Sequence, residues 1–230
     1  MLEQGLHLER NLFFFLNGSD SIFWDHFFWI YSYKWTWLLF YSCFLFVFIY
    51  KKHWKEIVIT ILSVALVILL CDQIASGFFK PFFQRFRPTY HPDFKDQVDI
   101  VLGYRGGRYG FISSHAANAF GFATFTALIF KNRIFTITIL LFAIINGYSR
   151  IYLGVHFISD VVVGSLVGVI VGYLSYKLYN CGRKHFLKIE KNDLRKTSYS
   201  KSKIYFLCIA YFANVIILLL FSNQLVNFFN

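Results

Sequence analysis

Acidic residues are scarce in this chain, and so are charges of any kind. Its 230 residues include 12 Asp and Glu against 23 Lys and Arg, and charged residues make up 15% of the sequence. So little charge is untypical of a soluble domain of this length. The net charge of +11 would suit nucleic acid in a soluble protein. No Lys/Arg-rich tract alternates with aromatic residues in the way that nucleic-acid binding requires, so we predict no nucleic-acid partner.

Cysteine is also scarce, and its spacing argues against two kinds of site. The four cysteines are Cys43, Cys71, Cys181 and Cys208. None has CxxC spacing and three lie in apolar runs, so neither a disulfide nor a cysteine metal site is expected. No group of His, Asp and Glu has the spacing of metal ligands. The N-terminus lacks the pattern of a cleaved signal peptide.

What the chain has in abundance is apolar surface, since 57% of its residues are hydrophobic and 22% aromatic. A helix that crosses a bilayer needs about 20 mostly apolar residues. Six segments come close to this length: 35–50, 57–79, 112–130, 134–152, 156–176 and 204–226. We therefore predict an all-α polytopic membrane protein that forms a single domain over residues 1–230, with a six-helix bundle over 35–226. Residues 1–34 mix charged and aromatic residues, which favours an interfacial amphipathic segment.

The cations between these segments predict the topology. Residues 51–55, 131–133 and 177–203 are basic connections that alternate correctly to share one face, which the positive-inside rule makes cytoplasmic. The loop 81–111 then lies on the outward face, where cations are normally sparse. The outward face nevertheless carries Lys80, Arg85, Arg87, Lys95, Arg105, Arg108 and Arg150. An anionic ligand is the simplest reason for them.

Three stretches carry residues suited to catalysis, and each also has a structural interpretation. In KPFFQRFRP, Lys80 and Arg87 suit phosphate oxygens, although they also suit cations that snorkel to the interface. The second stretch places Ser113 and Ser114 before His115, where serine would cap a helix and the exposed N–H groups would bind an anion.

The third stretch is SRIYLGVHFISD, residues 149–160. It places His156 four residues before Asp160, so that both lie on one helix face. The carboxylate can hold one imidazole nitrogen and leave the other free as a nucleophile or base, although a satisfied structural pair would look the same. All three stretches fall at the ends of predicted spans on the same side of the membrane. Together they predict a phosphate site with a nucleophile and an acid.

These stretches resemble the motifs of the type 2 phosphatidic acid phosphatase, or lipid phosphate phosphatase, superfamily in its bacterial integral-membrane branch. KPFFQRFRP fits Lys-x6-Arg-Pro, and SRIYLGVHFISD fits Ser-Arg-x5-His-x3-Asp. The middle motif, usually Pro-Ser-Gly-His, stands here as Ile112-Ser113-Ser114-His115, so Ile and Ser replace Pro and Gly. The resemblance covers about residues 57–176.

The resemblance implies a mechanism without metal or cofactor. His156 would attack phosphorus to form a phosphohistidine, Asp160 would orient His156, and His115 would protonate the leaving oxygen and later activate water. The phosphoryl oxygens would be held by Lys80, Arg87, Ser113, Ser114 and Arg150. Arg105 and Arg108 are further candidates for contacts with the headgroup.

The expected substrate is an anionic phospholipid or glycolipid in the bacterial inner membrane, hydrolysed on the periplasmic face. Lipid A and undecaprenyl diphosphate fit best, and phosphatidylglycerophosphate and phosphatidic acid are alternatives. A soluble haloperoxidase has a similar constellation, but six spans argue against it. A transporter would more typically show broken helices or repeat symmetry, which this sequence lacks. An inactive lipid-binding relative would usually lack one of the two histidines. The sequence leaves the oligomeric state open.

Overall fold

The computed structural model describes residues 2–190 and 193–229, and over those residues the fold is helical, without a β-strand. The all-α prediction is therefore confirmed. Lys191 and Asn192, in the predicted basic connection, lie outside the described residues, as do Met1 and Asn230. The helices are α1 Leu2–Leu16, α2 Ile22–Ser32, α3 Leu38–Ile49, α4 Trp54–Asp72, α5 Lys80–Phe83, α6 Ser114–Phe130, α7 Arg133–Tyr152, α8 Ile158–Leu187 and α9 Lys201–Phe229.

Two of these helices belong to one longer helix. A π-helical segment, Gln73–Phe79, joins α4 to α5, so that the chain is helical from Trp54 to Phe83. Pro81 lies in the first turn of α5. The helix ends before Gln84, whose φ of 46° lies in the left-handed region. Short π-helical insertions occur frequently at functional sites. Here the insertion directly precedes Lys80, the first residue of α5.

Among the described residues, four helices are long and apolar enough to cross a membrane: Trp54–Phe83, α7, α8 and α9. A fifth span is formed if α2 and the segment Lys34–Ile49, which meet at a bend of 68°, count as one. The predicted span 112–130 is shorter in the structure, because Ile112 and Ser113 belong to the turn before α6 and leave a helix of 17 residues. The structure thus has four or five candidate spans, and the count of six stays a prediction.

Helix α6 lies at the centre of the bundle, where small residues let α8 approach closely. A Cβ on Gly168 would lie 2.9 Å from the backbone nitrogen of Gly121. A Cβ on Gly164 would lie 2.6 Å from the carbonyl oxygen of Ser113. Small residues at such crossings are typical of helix packing in membranes. This contact holds the start of α6 against the start of α8, where two of the sequence motifs lie.

The three basic connections meet at one end of the bundle. Lys52 donates to the carbonyl oxygen of Ser198, Lys131 Nζ donates to that of Leu194 at 2.8 Å, and Lys203 Nζ donates to that of Tyr50 at 2.6 Å. The three motifs lie at the opposite end. The alternation that the sequence predicts for the cations is therefore present in the fold.

Candidate active site

His156 and Asp160 form a buried pair at the start of α8. His156 lies in the turn between α7 and α8, and the Nδ1 atom is 3.3 Å from Asp160 Oδ2. The same carboxylate oxygen accepts from the backbone N–H of Phe157 at 3.0 Å. The exposed fractions of His156 and Asp160 are 1% and 0%. Because the carboxylate only accepts, Nδ1 carries the proton and Nε2 keeps its lone pair.

Arg87 faces that lone pair. Arg87 NH1 is 3.0 Å from His156 Nε2 and also donates to the carbonyl oxygen of Val155 at 3.0 Å. Burial, with the nearby cations of Arg87, Arg150 and Lys80, lowers the pKa of His156 well below its ordinary 6.5. The imidazole is therefore neutral near pH 7, as a nucleophile must be. The Arg87 guanidinium thus occupies the space in front of Nε2.

Two further cations complete this cluster. Lys80 Nζ donates to Ser114 Oγ at 3.2 Å and to Ser76 Oγ at 3.0 Å. Arg150, 1% exposed, donates to Ser32 and, through NH2, to Tyr104 Oη at 2.9 Å. Its Nε is buried without a partner among the described residues.

No carboxylate of the described residues pairs with Lys80, Arg87 or Arg150. Buried cations are normally paired, because the desolvation of an isolated charge is costly. Buried Arg87 and Arg150 and the partly buried Lys80, near one neutral imidazole, are therefore an arrangement suited to an anion with several oxygens.

The middle motif supplies the start of α6. Ser113 Oγ caps the helix by accepting from the backbone N–H of Ala116 at 3.4 Å, and Ser113 N–H donates to the carbonyl oxygen of Asp160 at 3.0 Å. Ser114 Oγ holds Lys80. His115 is partly buried and lines the adjoining cavity. Despite Ile112 and Ser114 in place of Pro and Gly, the motif turn still ends in a capped helix.

Two glycines of the loop 81–111 also approach the site closely. Gly106, at φ +66°, lies so close that a Cβ would be 3.1 Å from Arg87 NH1. A Cβ on Gly110 would be 3.1 Å from Asp160 Oδ2. Arg105 and Arg108 are exposed, and Arg108 lies over the ring of Phe86, 5.0 Å from its centroid. Their contact with a headgroup stays a prediction.

Two residues without a role in the sequence motifs, Arg85 and Glu9, support the pair of His156 and Asp160. Arg85 NH1 donates to Asp160 Oδ1 at 2.8 Å and to Ser159 Oγ at 2.6 Å. Arg85 NH2 donates to Glu9 Oε2 at 2.9 Å, while Glu9 Oε1 accepts from the backbone N–H of Ser159 at 2.8 Å. In the sequence, Arg85 is only one of several cations predicted on the outward face. No sequence pattern indicates Glu9, because that residue comes from α1, far away in the chain.

A cavity of about 690 Å³ opens beside the cluster, between α3, α4, α6 and α7. Ser114 and His115 lie at the end near the cations, and mostly aromatic and aliphatic side chains line the rest. Tyr41 and Leu45 of α3 are 43% and 48% exposed, and Ile68 of α4 is 39% exposed. The cavity therefore lies next to surface that would face lipid. Within the described residues, no group of three or more His, Cys, Asp or Glu side chains could hold a metal ion.

Comparison with known proteins shows the family. The sequence profile of the PAP2 superfamily matches residues 56–183, a stretch that contains all three motifs. The lipid A 4'-phosphatase of Porphyromonas gingivalis is 50% identical over 186 residues, which are 81% of this chain and 79% of that relative. The lipid A 4'-phosphatase of Bacteroides thetaiotaomicron is 38% identical over 178 residues, 76% of this chain and 79% of the relative.

Two solved structures are similar as well. The crystal structure of Aquifex aeolicus LpxE has a TM-score of 0.57 and 30% identity, and the match covers 74% of this chain and 95% of that one. The PAP2-type phosphatidylglycerolphosphate phosphatase of Bacillus subtilis has a TM-score of 0.50 and 22% identity, with 74% of this chain and 80% of that one covered. The second likeness concerns the fold alone.

Proposed function

The chain belongs to the PAP2 superfamily, and from this membership we propose that it removes a phosphate from lipid A in a bacterial inner membrane. The predicted enzyme class, a phosphoric ester hydrolase that acts on lipids, is confirmed by the superfamily and by the names of the two relatives. The observation that carries the proposal is the contact of buried Arg87 with the free nitrogen of His156, with Arg150 and Lys80 nearby and without a carboxylate partner. The substrate follows from the names of the two relatives.

The first chemical step uses His156 as nucleophile. Arg87 turns its N–H from Nε2 to a phosphoryl oxygen, and Nε2 then attacks phosphorus. As the nitrogen–phosphorus bond forms, the bond from phosphorus to the lipid oxygen breaks. His115, which takes up a proton when the bound phosphate dianion offsets the nearby cations, gives that oxygen its proton. Lys80 and Arg150 offset the charge that develops on the phosphoryl oxygens. Asp160 stabilises the positive imidazole.

The second step releases phosphate. His115, now neutral, removes a proton from a water molecule whose oxygen attacks phosphorus. The nitrogen–phosphorus bond breaks, its electron pair returns to His156 Nε2, and His115 is protonated again for the next turnover. The same imidazole thus serves as acid and then as base.

The test of the proposal is phosphate release by purified protein in detergent micelles with EDTA present. Lipid A, undecaprenyl diphosphate, phosphatidylglycerophosphate and phosphatidic acid are assayed in parallel, with the His156→Ala variant as the blank. We expect the highest kcat/KM with lipid A. A higher kcat/KM with any of the other three lipids would overturn the proposed substrate. Loss of phosphate release in EDTA, restored by added metal, would overturn the metal-independent mechanism.

We further propose that the site faces the periplasm. Asp96, in the loop 81–111, and Cys181, in the part of α8 near the basic connections, are both exposed and lie at opposite ends of the bundle. In spheroplasts, a membrane-impermeant maleimide should label an Asp96→Cys variant at once and Cys181 only after the membrane is permeabilised. The unmodified chain, with Cys181 in place, is the control. The reverse order of labelling would place the site in the cytoplasm.

Arg85 is expected to act through Asp160. In an Arg85→Met variant the carboxylate loses a charge-assisted hydrogen bond, so kcat should fall about 10-fold or more while KM changes less than about twofold. Arg85→Lys, which keeps the charge but loses the planar fork, should retain more activity than Arg85→Met. Glu9 contacts Arg85 and Ser159 but not Asp160, so Glu9→Gln should lower kcat less than Arg85→Met does. A change in KM alone would show that Arg85 contacts substrate instead.

A further inference from the structure

Beneath Lys80, Arg87 and Arg150, which we refer to as the phosphate cluster, the cavity has a second polar layer. None of the sequence motifs assigns a role to this layer. Three polar side chains line it: Asp72 of α4, Asn118 of α6 and Asn146 of α7. They come from three different helices and face the same space. We refer to these three residues as the polar layer.

Helix geometry places this layer below the phosphate cluster. Asn118 lies three residues after His115 on α6, and Asn146 lies four residues before Arg150 on α7. Residues three or four apart share a helix face, and at 1.5 Å per residue the offset is about 5–6 Å. Asn118 is therefore one helical turn deeper in the bundle than His115, and Asn146 is one turn deeper than Arg150.

Asp72 is linked to the cluster by a chain of hydrogen bonds. Lys80 Nζ donates to Ser76 Oγ at 3.0 Å, and Ser76 Oγ donates to Asp72 Oδ1 at 3.2 Å. Among the described residues, Ser76 supplies the one side-chain hydrogen bond that Asp72 receives. A carboxylate inside a membrane-spanning helix is costly and is a functional candidate by default. Its remaining capacity is for hydrogen-bond donors, since a carboxylate can only accept.

Asn118 adds to this demand for donors. Its Oδ1 is buried and accepts no hydrogen bond from the part of the chain that the structure describes. Asn146 is 8% exposed, and no side-chain hydrogen bond to a described residue involves its amide. Buried polar groups normally have partners. The polar layer is thus a set of acceptors and amides whose partners come from whatever fills the cavity.

Deeper still, the cavity wall is apolar. Phe122 follows Asn118 by one turn, Phe142 precedes Asn146 by one turn, and Ile68 precedes Asp72 by one turn. From the outward end inward, the cavity offers Ser114 and His115 beside the cations, then hydrogen-bond acceptors and amides, then hydrocarbon. A lipid that fits this order carries a phosphate, a headgroup rich in N–H and O–H groups, and acyl chains.

We propose that the polar layer binds the sugar of the leaving group and so selects phosphorylated glycolipids over phosphorylated diacylglycerols. Sugar hydroxyl and amide groups donate hydrogen bonds, whereas the ester oxygens of a diacylglycerol only accept them. The carboxylate of Asp72 can accept a hydrogen bond from a sugar hydroxyl or amide group, but it offers no donor to an ester oxygen. A site built to hydrogen-bond a substrate group rejects analogues that lack the group. This inference rests on the proposed function and specifies the headgroup class.

The first test uses two matched variants. Asn146→Leu removes an amide from the cavity, and Asn214→Leu removes an equally buried amide, also 8% exposed, that does not line it. We expect Asn146→Leu to lower kcat/KM for lipid A about 10-fold and Asn214→Leu to leave it within about twofold. The inhibition constant of inorganic phosphate, which reports the cationic cluster, should change less than about twofold in both. Equal losses in the two variants, or a parallel loss of phosphate inhibition in Asn146→Leu, would overturn the inference.

The second test separates Asp72 from its link to Lys80. Ser76→Ala breaks the hydrogen-bond chain without touching the cavity wall, so it should weaken phosphate inhibition and affect all lipid substrates alike. Asp72→Leu should lower kcat/KM for lipid A at least about 10-fold more than Ser76→Ala does. Equal effects would limit Asp72 to holding Lys80 and overturn its part in the sugar site. If the unmodified protein cleaves phosphatidic acid but not lipid A, the proposed function itself fails. If it cleaves lipid A and the variants match it, only the inference fails.

Discussion

Replacing His156 with alanine is expected to abolish phosphate release, with a loss on the order of 10⁴–10⁶-fold in kcat. The imidazole is the buried group whose free nitrogen faces Arg87 at 3.0 Å, and alanine leaves no atom that could attack phosphorus. The cations would still bind substrate, so KM should change much less than kcat. The measurement is steady-state phosphate release from lipid A in micelles.

The matched control is His185→Ala, which removes an exposed histidine at the other end of α8. This variant should keep full activity. Both variants should elute from size exclusion and melt like the parent protein, because the loss at His156 is chemical. Turnover by folded His156→Ala within about 100-fold of the parent would disprove the assignment of the nucleophile.

The His115→Ala variant should lose about 10²–10⁴-fold in phosphate release from lipid A, the usual range for a missing general acid or base. The lipid oxygen is a poor leaving group and needs the proton that His115 supplies. The second step needs the same residue to activate water. His115 is placed for both, since it lines the cavity that would hold the leaving lipid.

A substrate with a good leaving group separates the two roles. Nitrophenolate leaves without a proton, so p-nitrophenyl phosphate should phosphorylate His156 in the His115→Ala variant and release about one equivalent of nitrophenolate in a burst. The variant should then stall, with a phosphoryl group on His156 that peptide mass spectrometry detects. A steady rate without a burst would mean that His115 acts only in the first step or in neither.

Much of the site could be predicted from the sequence because its determinants are local. His156 and Asp160 are four residues apart on one helix turn, so their contact at 3.3 Å follows from helix geometry. Ser113 caps α6 as a serine before an apolar helix is expected to do. The motif spacings also predict the superfamily and the enzyme class, both of which the comparisons confirm.

The number of membrane spans could not be predicted from local sequence patterns alone. Hydropathy counts apolar residues, but the bend of 68° between α2 and Lys34–Ile49 and the early turn before α6 depend on how the helices pack. Central α6 is covered by its neighbours, so it can be short and rich in small residues. A window over the sequence cannot distinguish such a helix from one that faces lipid.

The sequence by itself determined that this protein is helical and membrane-bound, because composition carries that information. Its identification as a phosphatase of the PAP2 superfamily came from the resemblance of three short motifs to those of that family. Only the tertiary structure decided what surrounds the catalytic pair. Glu9 reaches Ser159 and Arg85 across most of the chain, and Arg87 meets His156 through the fold of a long loop. Such contacts join residues far apart in sequence. They exist only once α1, α6 and α8 have packed together.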